Sequence, residues 1–163
     1  MRVLGIDPGS LVTGFGVVED DTNRLQALTW GAIRTMARQP LAERLKRIYD
    51  GLSEAVRAWQ PDAVSVERVF FADNPKTALI LGHARGVALL TVAHAALPLV
   101  EYSALEIKMA VVGYGRAAKS QMHQMVQTLL RLDAPPQPAD AADALAAAIC
   151  HLHTHGFQRH IRR

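Results

Sequence analysis

Cysteine is nearly missing from this chain. Cys150 is the single one in 163 residues, so no internal disulfide and no cysteine metal cage can form, and nothing in cysteine usage points outside the cytosol. A lone cysteine of this kind is expected to serve as a small buried hydrophobe. The N-terminus lacks the basic segment and longer apolar run of a secretory signal. The longest apolar region, residues 77–100, is broken by His83, Arg85 and His94 and stops at Pro98, so it is not expected to span a bilayer. No internal repeat and no low-complexity segment is present. Neither sign of charge dominates: 18 Lys and Arg stand against 15 Asp and Glu, a formal net charge of +3. That tilts the chain mildly towards anionic partners, and acids gathered in one site would mask a basic surface elsewhere. What remains is the ordinary composition of a soluble cytoplasmic domain, half hydrophobic and one-fifth charged. Its length suits one domain that buries roughly two-thirds of its unfolded surface.

The chain opens on Val3, Leu4 and Ile6, a short buried strand that Pro8-Gly9 ends at once. Asp7 is its last residue, and a carboxylate buried there needs a strong partner. Residues 13–18 and 25–34 read as two further strands joined by an Asp20-Asp21-Thr22-Asn23 turn. Leu41, Leu45, Ile48, Leu52, Val56 and Trp59 then recur at helical spacing, predicting an amphipathic helix over residues 40–60. Its other face, with Glu43, Arg44, Lys46, Arg47, Asp50 and Glu54, reads as solvated. A fourth strand over residues 63–67 ends on Glu67, and the crossover makes it parallel to the first. Two acids therefore close two parallel strands at the edge where α/β sheets build sites.

Asn74-Pro75 has the form of a helix start. The helix it opens, to about residue 96, is apolar almost all round, with Gly82 and Gly86 permitting close approach. Such a helix is expected to be covered by its own sheet and by a second subunit. A fifth strand over residues 97–102 follows. Ser103-Ala104-Leu105-Glu106 has capping-box form and opens a short helix to about residue 112. A glycine-bearing basic loop, residues 113–119, leads into a helix with Met122, Val126, Leu129 and Leu130 on one face. A proline-rich connection precedes an alanine-rich final helix to about residue 153, and residues 156–163 look like a basic, disordered tail.

Asp140 and Asp143 stand three apart at the start of that final helix, so both project from one face of its first turn. Acids there can simply cap free amides and suit the helix dipole. They can also complete a metal site with Asp7 and Glu67. Four carboxylates from separated segments suit Mg²⁺ or Mn²⁺ rather than zinc. Two ions about 4 Å apart could then activate water and stabilise the leaving oxygen of a phosphodiester. Spacing alone leaves both accounts open.

Six segments decide between them. Gly5-Ile6-Asp7-Pro8-Gly9-Ser10, Val66-Glu67-Arg68-Val69-Phe70, Leu81-Gly82-His83-Ala84-Arg85-Gly86-Val87, Val111-Val112-Gly113-Tyr114-Gly115, Ala118-Lys119-Ser120-Gln121 and Ala139-Asp140-Ala141-Ala142-Asp143-Ala144-Leu145 stand in an order that resembles the RuvC family of bacterial Holliday-junction resolvases. The first segment alone also resembles the phosphate loop of actin-like and sugar-kinase ATPases, which need two such domains where this chain has room for one. The resemblance covers residues 1–155 and implies an α/β, RNase H-like fold: a five-stranded mixed sheet, three strands antiparallel and two parallel, with helices on both faces. It implies a homodimeric, Mg²⁺-dependent endonuclease, with Mn²⁺ able to substitute and two ions in each site. Its work would be to nick two strands of like polarity in a four-way junction during recombination and DNA repair, leaving 5′-phosphate and 3′-hydroxyl ends. The matching catalytic and metal-binding positions are Asp7, Glu67, Asp140 and Asp143. The implied partners are the RuvA junction-binding protein and the RuvB branch-migration motor. A non-catalytic junction-binding module of the same fold and a related nuclease acting on RNA are the alternatives.

Lys108, Arg116 and Lys119 sit at or near turns and are candidate DNA contacts, Lys119 the best placed at a helix start after glycines. In the resembling family the positions of Lys108 and Lys119 are basic and serve DNA binding or catalysis. Phe70 reads from sequence as a core plug, whereas the resemblance makes it a wedge that stacks on bases. Phe71 reads as packing. His151, His153 and His155 point in different directions along a helix and do not form a ligand set. His123 has no evident companion, and Arg85 and Glu101 read as structural charges.

Overall fold

A computed structural model describes residues 1–22, 24–68 and 74–161. Five strands form one sheet in the order β3-β2-β1-β4-β5. β1 (Arg2–Asp7) pairs antiparallel with β2 (Val12–Asp21), which pairs antiparallel with β3 (Arg24–Arg34). On the other side β1 runs parallel to β4 (Ala63–Arg68), and β4 runs parallel to β5 (Leu99–Ser103). This is the mixed sheet expected from the sequence. The two-residue period of a strand sends alternate side chains to opposite faces. Leu4, Ile6, Val17, Val64 and Val66 accordingly pack on one side with Ile48 and Leu52 of α1 (Leu41–Trp59) and with Ala84, Ala88 and Val92 of α2 (Pro75–His94). Val3 and Val18 face the opposite core, built with α3 (Ala104–Val112), α4 (Lys119–Leu130) and α5 (Ala139–Ile161).

The sheet admits α5 unusually closely. Ala141, Ala142, Ala144, Ala146, Ala147 and Ala148 are fully buried, and the strand positions beneath them are small. A β-carbon on Gly5 would collide with the Ala144 carbonyl oxygen, and one on Gly14 with that of Asp140. Ser65, also fully buried, donates its hydroxyl proton to the Ala147 carbonyl at 2.8 Å. Small residues on both partners thus set the depth of α5, and with it the position of the acids in its first turns. The helix continues to Ile161, past residue 153 where the alanine-rich pattern ends. Apolar spacing fades there, but the backbone ladder does not need it.

α2 starts as its sequence indicates: the Asn74 side chain accepts from the Thr77 amide at 2.9 Å. Among the described residues it is the one helix long and apolar enough to cross a membrane. One side of it closes the α1 core, while Leu79 and Leu90 are 66% and 50% exposed. A shallow groove lined by Leu45, Ala78, Leu79, Gly82, His83, Gly86, Val87 and Leu90 runs along the uncovered side. One chain therefore leaves much of this helix's apolar surface uncovered.

Candidate functional site

At the carboxyl edge of the parallel strands lies a cavity of about 510 Å³. Asp7 from the end of β1, Glu67 from β4 and Asp143 from α5 line it, together with Lys108 of α3 and Lys119 of α4. Pro8, Arg68, Leu81, Ala104, Ile107 and Met122 complete the wall. The loop after Asp7 is held from behind. The Ser10 carbonyl accepts from Thr35 Oγ1 at 2.7 Å and from Arg44 Nη2 at 2.9 Å, and Thr13 Oγ1 donates to the Gly9 carbonyl at 2.6 Å. Arg44 is therefore not part of the solvated face to which helical spacing assigns it. It is 8% exposed and serves as a buried strut for the loop.

Lys108 is placed by a helix fixed at both ends. The Ser103 hydroxyl accepts from the Glu106 amide, the Glu106 carboxylate accepts from the Ser103 amide, and Gly113 stops the helix with a φ of 78°. Lys119 opens α4, and a cation in the first turn opposes the helix dipole. Asp143 offsets that cost: Lys119 Nζ donates to its Oδ2 at 2.6 Å. The ion pair holds the lysine ammonium above its ordinary pKa, hydrogen bonding to Asp143 being the largest cause.

Burial, then the charges of Glu67, Asp143 and Asp140, push the Asp7 carboxyl up to about 7, with Lys119 pulling the other way. Glu67 is likewise raised, by burial first and then by Asp143, while Lys119 and Lys108 oppose the shift. Carboxylates that raise one another in this manner share a field that one added cation would relieve. The donor set offers oxygen and no sulfur, which suits a hard divalent ion. Among the described residues no three Asp, Glu, His or Cys side chains already stand as a closed ligand cluster. Asp143 instead turns both oxygens to protein groups, Oδ2 to Lys119 and Oδ1 to His123.

Asp140 is half-buried in the first turn of α5, does not line the cavity, and reaches Asp7 only through its charge. Arg116 is exposed on the α3–α4 loop, away from the lining residues. Phe70 and Phe71 lie outside the described residues. His123, which has no evident companion in the sequence, has one in space: its Nε2–H donates to Asp143 Oδ1 at 2.8 Å. The signal was its spacing, since positions 119 and 123 are one helical turn apart and share a face. Two other histidines have partners away from the cavity. His151 meets the Tyr102 hydroxyl at 3.0 Å and His153 Nδ1 donates to the Ala110 carbonyl at 2.9 Å. Arg85 and Glu101 pair with each other. Cys150 is buried, and burial pushes its thiol up to about 12.

Comparisons with known proteins bear on the family and the fold. The family model described as crossover junction endodeoxyribonuclease RuvC matches residues 3–151. A crossover junction endodeoxyribonuclease RuvC from Syntrophotalea carbinolica is 57% identical over 153 residues, covering 94% of each chain. Its counterpart in Desulforamulus reducens is 50% identical and covers 93% of each. Among solved structures, Thermus thermophilus RuvC in complex with a Holliday junction substrate superposes with a TM-score of 0.89 at 31% identity, covering 96% of each chain. The yeast mitochondrial resolvase Ydc2, 13% identical with a TM-score of 0.74, shares the fold. With sequence and architecture in agreement over nearly all of both chains, the chain belongs to the RuvC family of crossover junction endodeoxyribonucleases.

Proposed function

We propose that the protein resolves four-way DNA junctions in the cytoplasm by hydrolysing phosphodiesters in two strands of like polarity, at the cavity lined by Asp7, Glu67 and Asp143. The observation that carries this reading is the convergence of those acids, from β1, β4 and α5, beside Lys108 and Lys119. A cleft with acids at its floor and cations on its flank fits a phosphodiester that must meet metal on one side and balancing charge on the other. Asp7, Glu67 and Asp143 in the cavity wall, with Asp140 one helical turn before Asp143, would hold Mg²⁺ or Mn²⁺, two ions per site. When bound, the divalent ions lower the pKa of the attacking water and neutralise charge on the phosphate.

The chain's own residues do the rest. The loop after Asp7, tied down by Arg44 and Thr35 at the Ser10 carbonyl, steadies that carboxylate. Lys108 and Lys119 draw the scissile phosphate into the cavity. Lys119, kept protonated by its surroundings, stays available to balance negative charge as the bond breaks. In-line attack by water leaves a 5′-phosphate and a 3′-hydroxyl. Phe70 and Arg116 complete the DNA-contacting set. The uncovered face of α2 supports a homodimer, and a two-fold pair of sites suits the symmetry of the junction. RuvA and RuvB are the proposed partners that deliver and move it. The nuclease domain spans residues 1–155, with its last helix running on to Ile161.

A mobile four-way junction labelled on each strand tests the reading. With Mg²⁺ we expect paired, symmetric incisions, and none in chelator. Asp7→Asn should abolish cutting, by a factor of about 1,000 or more, and leave junction binding near wild type, because phosphate contacts supply most affinity. Normal cutting by that variant refutes the site. Wild-type protein that shifts the junction without cutting it is a binder only, and preferential cutting of RNA points to the other nuclease class.

A further inference from the structure

Asp143 has two oxygens and both are taken, but by partners of different kinds. Oδ2 carries the Lys119 ammonium at 2.6 Å, and the Lys119 side chain is 63% exposed. Oδ1 carries His123 Nε2 at 2.8 Å, and the His123 side chain is 16% exposed. The exposed lysine can swing out to solvent, and the buried carboxylate it leaves then demands another cation. A half-buried imidazole beside Met122 and Val126, both sunk in the core, has nowhere comparable to go. The carboxylate itself is 7% exposed, so its orientation depends on which of its partners stays.

We propose that His123 is a positioning residue for the metal centre: it anchors Oδ1 of Asp143 so that Oδ2 alone is offered to a divalent cation, which takes the place of the Lys119 ammonium. The proposal rests on the reading of Asp143 as a metal ligand. A carboxylate accepts only, so the ring must carry its proton on Nε2 for this contact. The consequence is a division of labour along one face of α4. Position 123 holds the ligand, and position 119 holds its place until the cation arrives. Groups that orient ligands from behind typically govern 10–100-fold of metal affinity.

Calorimetric titration of the full-length protein with Mn²⁺, without DNA, tests this directly. His123→Ala should weaken binding by about 10-fold or more. His123→Gln, whose amide can donate from a similar position, should recover most of the loss. Lys119→Ala should bind Mn²⁺ at least as tightly as wild type, because a competitor has gone. Cleavage rates should agree: His123→Ala raises the Mg²⁺ concentration needed for half-maximal rate more than it lowers the rate at saturation. Thermal melting of each variant separates folding from positioning. Unchanged Mn²⁺ affinity in His123→Ala overturns the role of His123 while leaving the metal site intact. Equal loss in the Ala and Gln variants, tracking a fall in melting temperature, also overturns it. Wild-type protein that binds no Mn²⁺ overturns the metal site itself, and this inference with it.

Discussion

At the residue scale the decisive quantity is the proton on Asp7. Its carboxyl is raised from 3.8 to about 7 by burial and by its acidic neighbours. Between those values the folded protein keeps a proton that the unfolded chain has released. The associated stability is therefore complete below the unfolded value and lost as pH climbs through the folded one. Metal-free protein should melt at progressively lower temperature between about pH 4 and about pH 7, and saturating Mg²⁺ should flatten the profile. Asp7→Asn, which removes the charge, should raise the metal-free melting temperature near the upper end by several degrees while abolishing cleavage. Differential scanning calorimetry at fixed ionic strength checks both. Placement at this scale was legible where neighbours in sequence carry the meaning, as for Asp7 beside Pro8-Gly9 and for Asp143, which both line the cavity, whereas Asp140 does not. It was not legible for Arg44 and His123. Each lies on a helix whose spacing gives only the direction of its side chain, whereas its partner, the Ser10 carbonyl or Asp143, arrives from another element.

Among the elements, α5 positions the rest. Its alanines allow backbone approach to β1 and β2 that any larger side chain would block. Gly5→Ala sets a β-carbon against the Ala144 carbonyl and the Ala148 amide. Backbone cannot rotate away, so the expected loss is about 3 kcal/mol or more, read from denaturant midpoints. The order of strands and helices followed from periodicity and turn residues, and from the rule that a strand-helix-strand crossover runs parallel. Element ends were less legible. β2 extends over Val12–Asp21 because β3 pairs along its full length, and α5 outlasts its apolar pattern. Pairing and backbone hydrogen bonds decide those ends, and neither is written in side-chain hydrophobicity.

For the whole molecule, the uncovered side of α2 is the feature that most exceeds a single chain's needs. Contiguous exposed apolar surface of this kind is uncommon on monomers. Replacing Leu79 and Leu90 together with Glu should convert a dimer to a monomer in sedimentation velocity at micromolar concentration, with the circular dichroism spectrum retained. On a junction the monomeric variant should give single nicks in place of paired ones. A wild-type monomer under the same conditions rejects the dimer. That α2 keeps an uncovered apolar side was legible in the sequence, because a helix apolar on every side cannot be satisfied by one sheet.

The depth at which α5 sits has a practical corollary. The same alanine-on-glycine seam that closes the interior also sets how far Asp143 reaches into the cleft, so fold and chemistry share one tolerance. Variants that lift this helix by a fraction of an ångström should remain folded, soluble and able to grip DNA, yet cut slowly. In this enzyme a loosening interior would register twice, as a slower reaction and as a lower melting temperature.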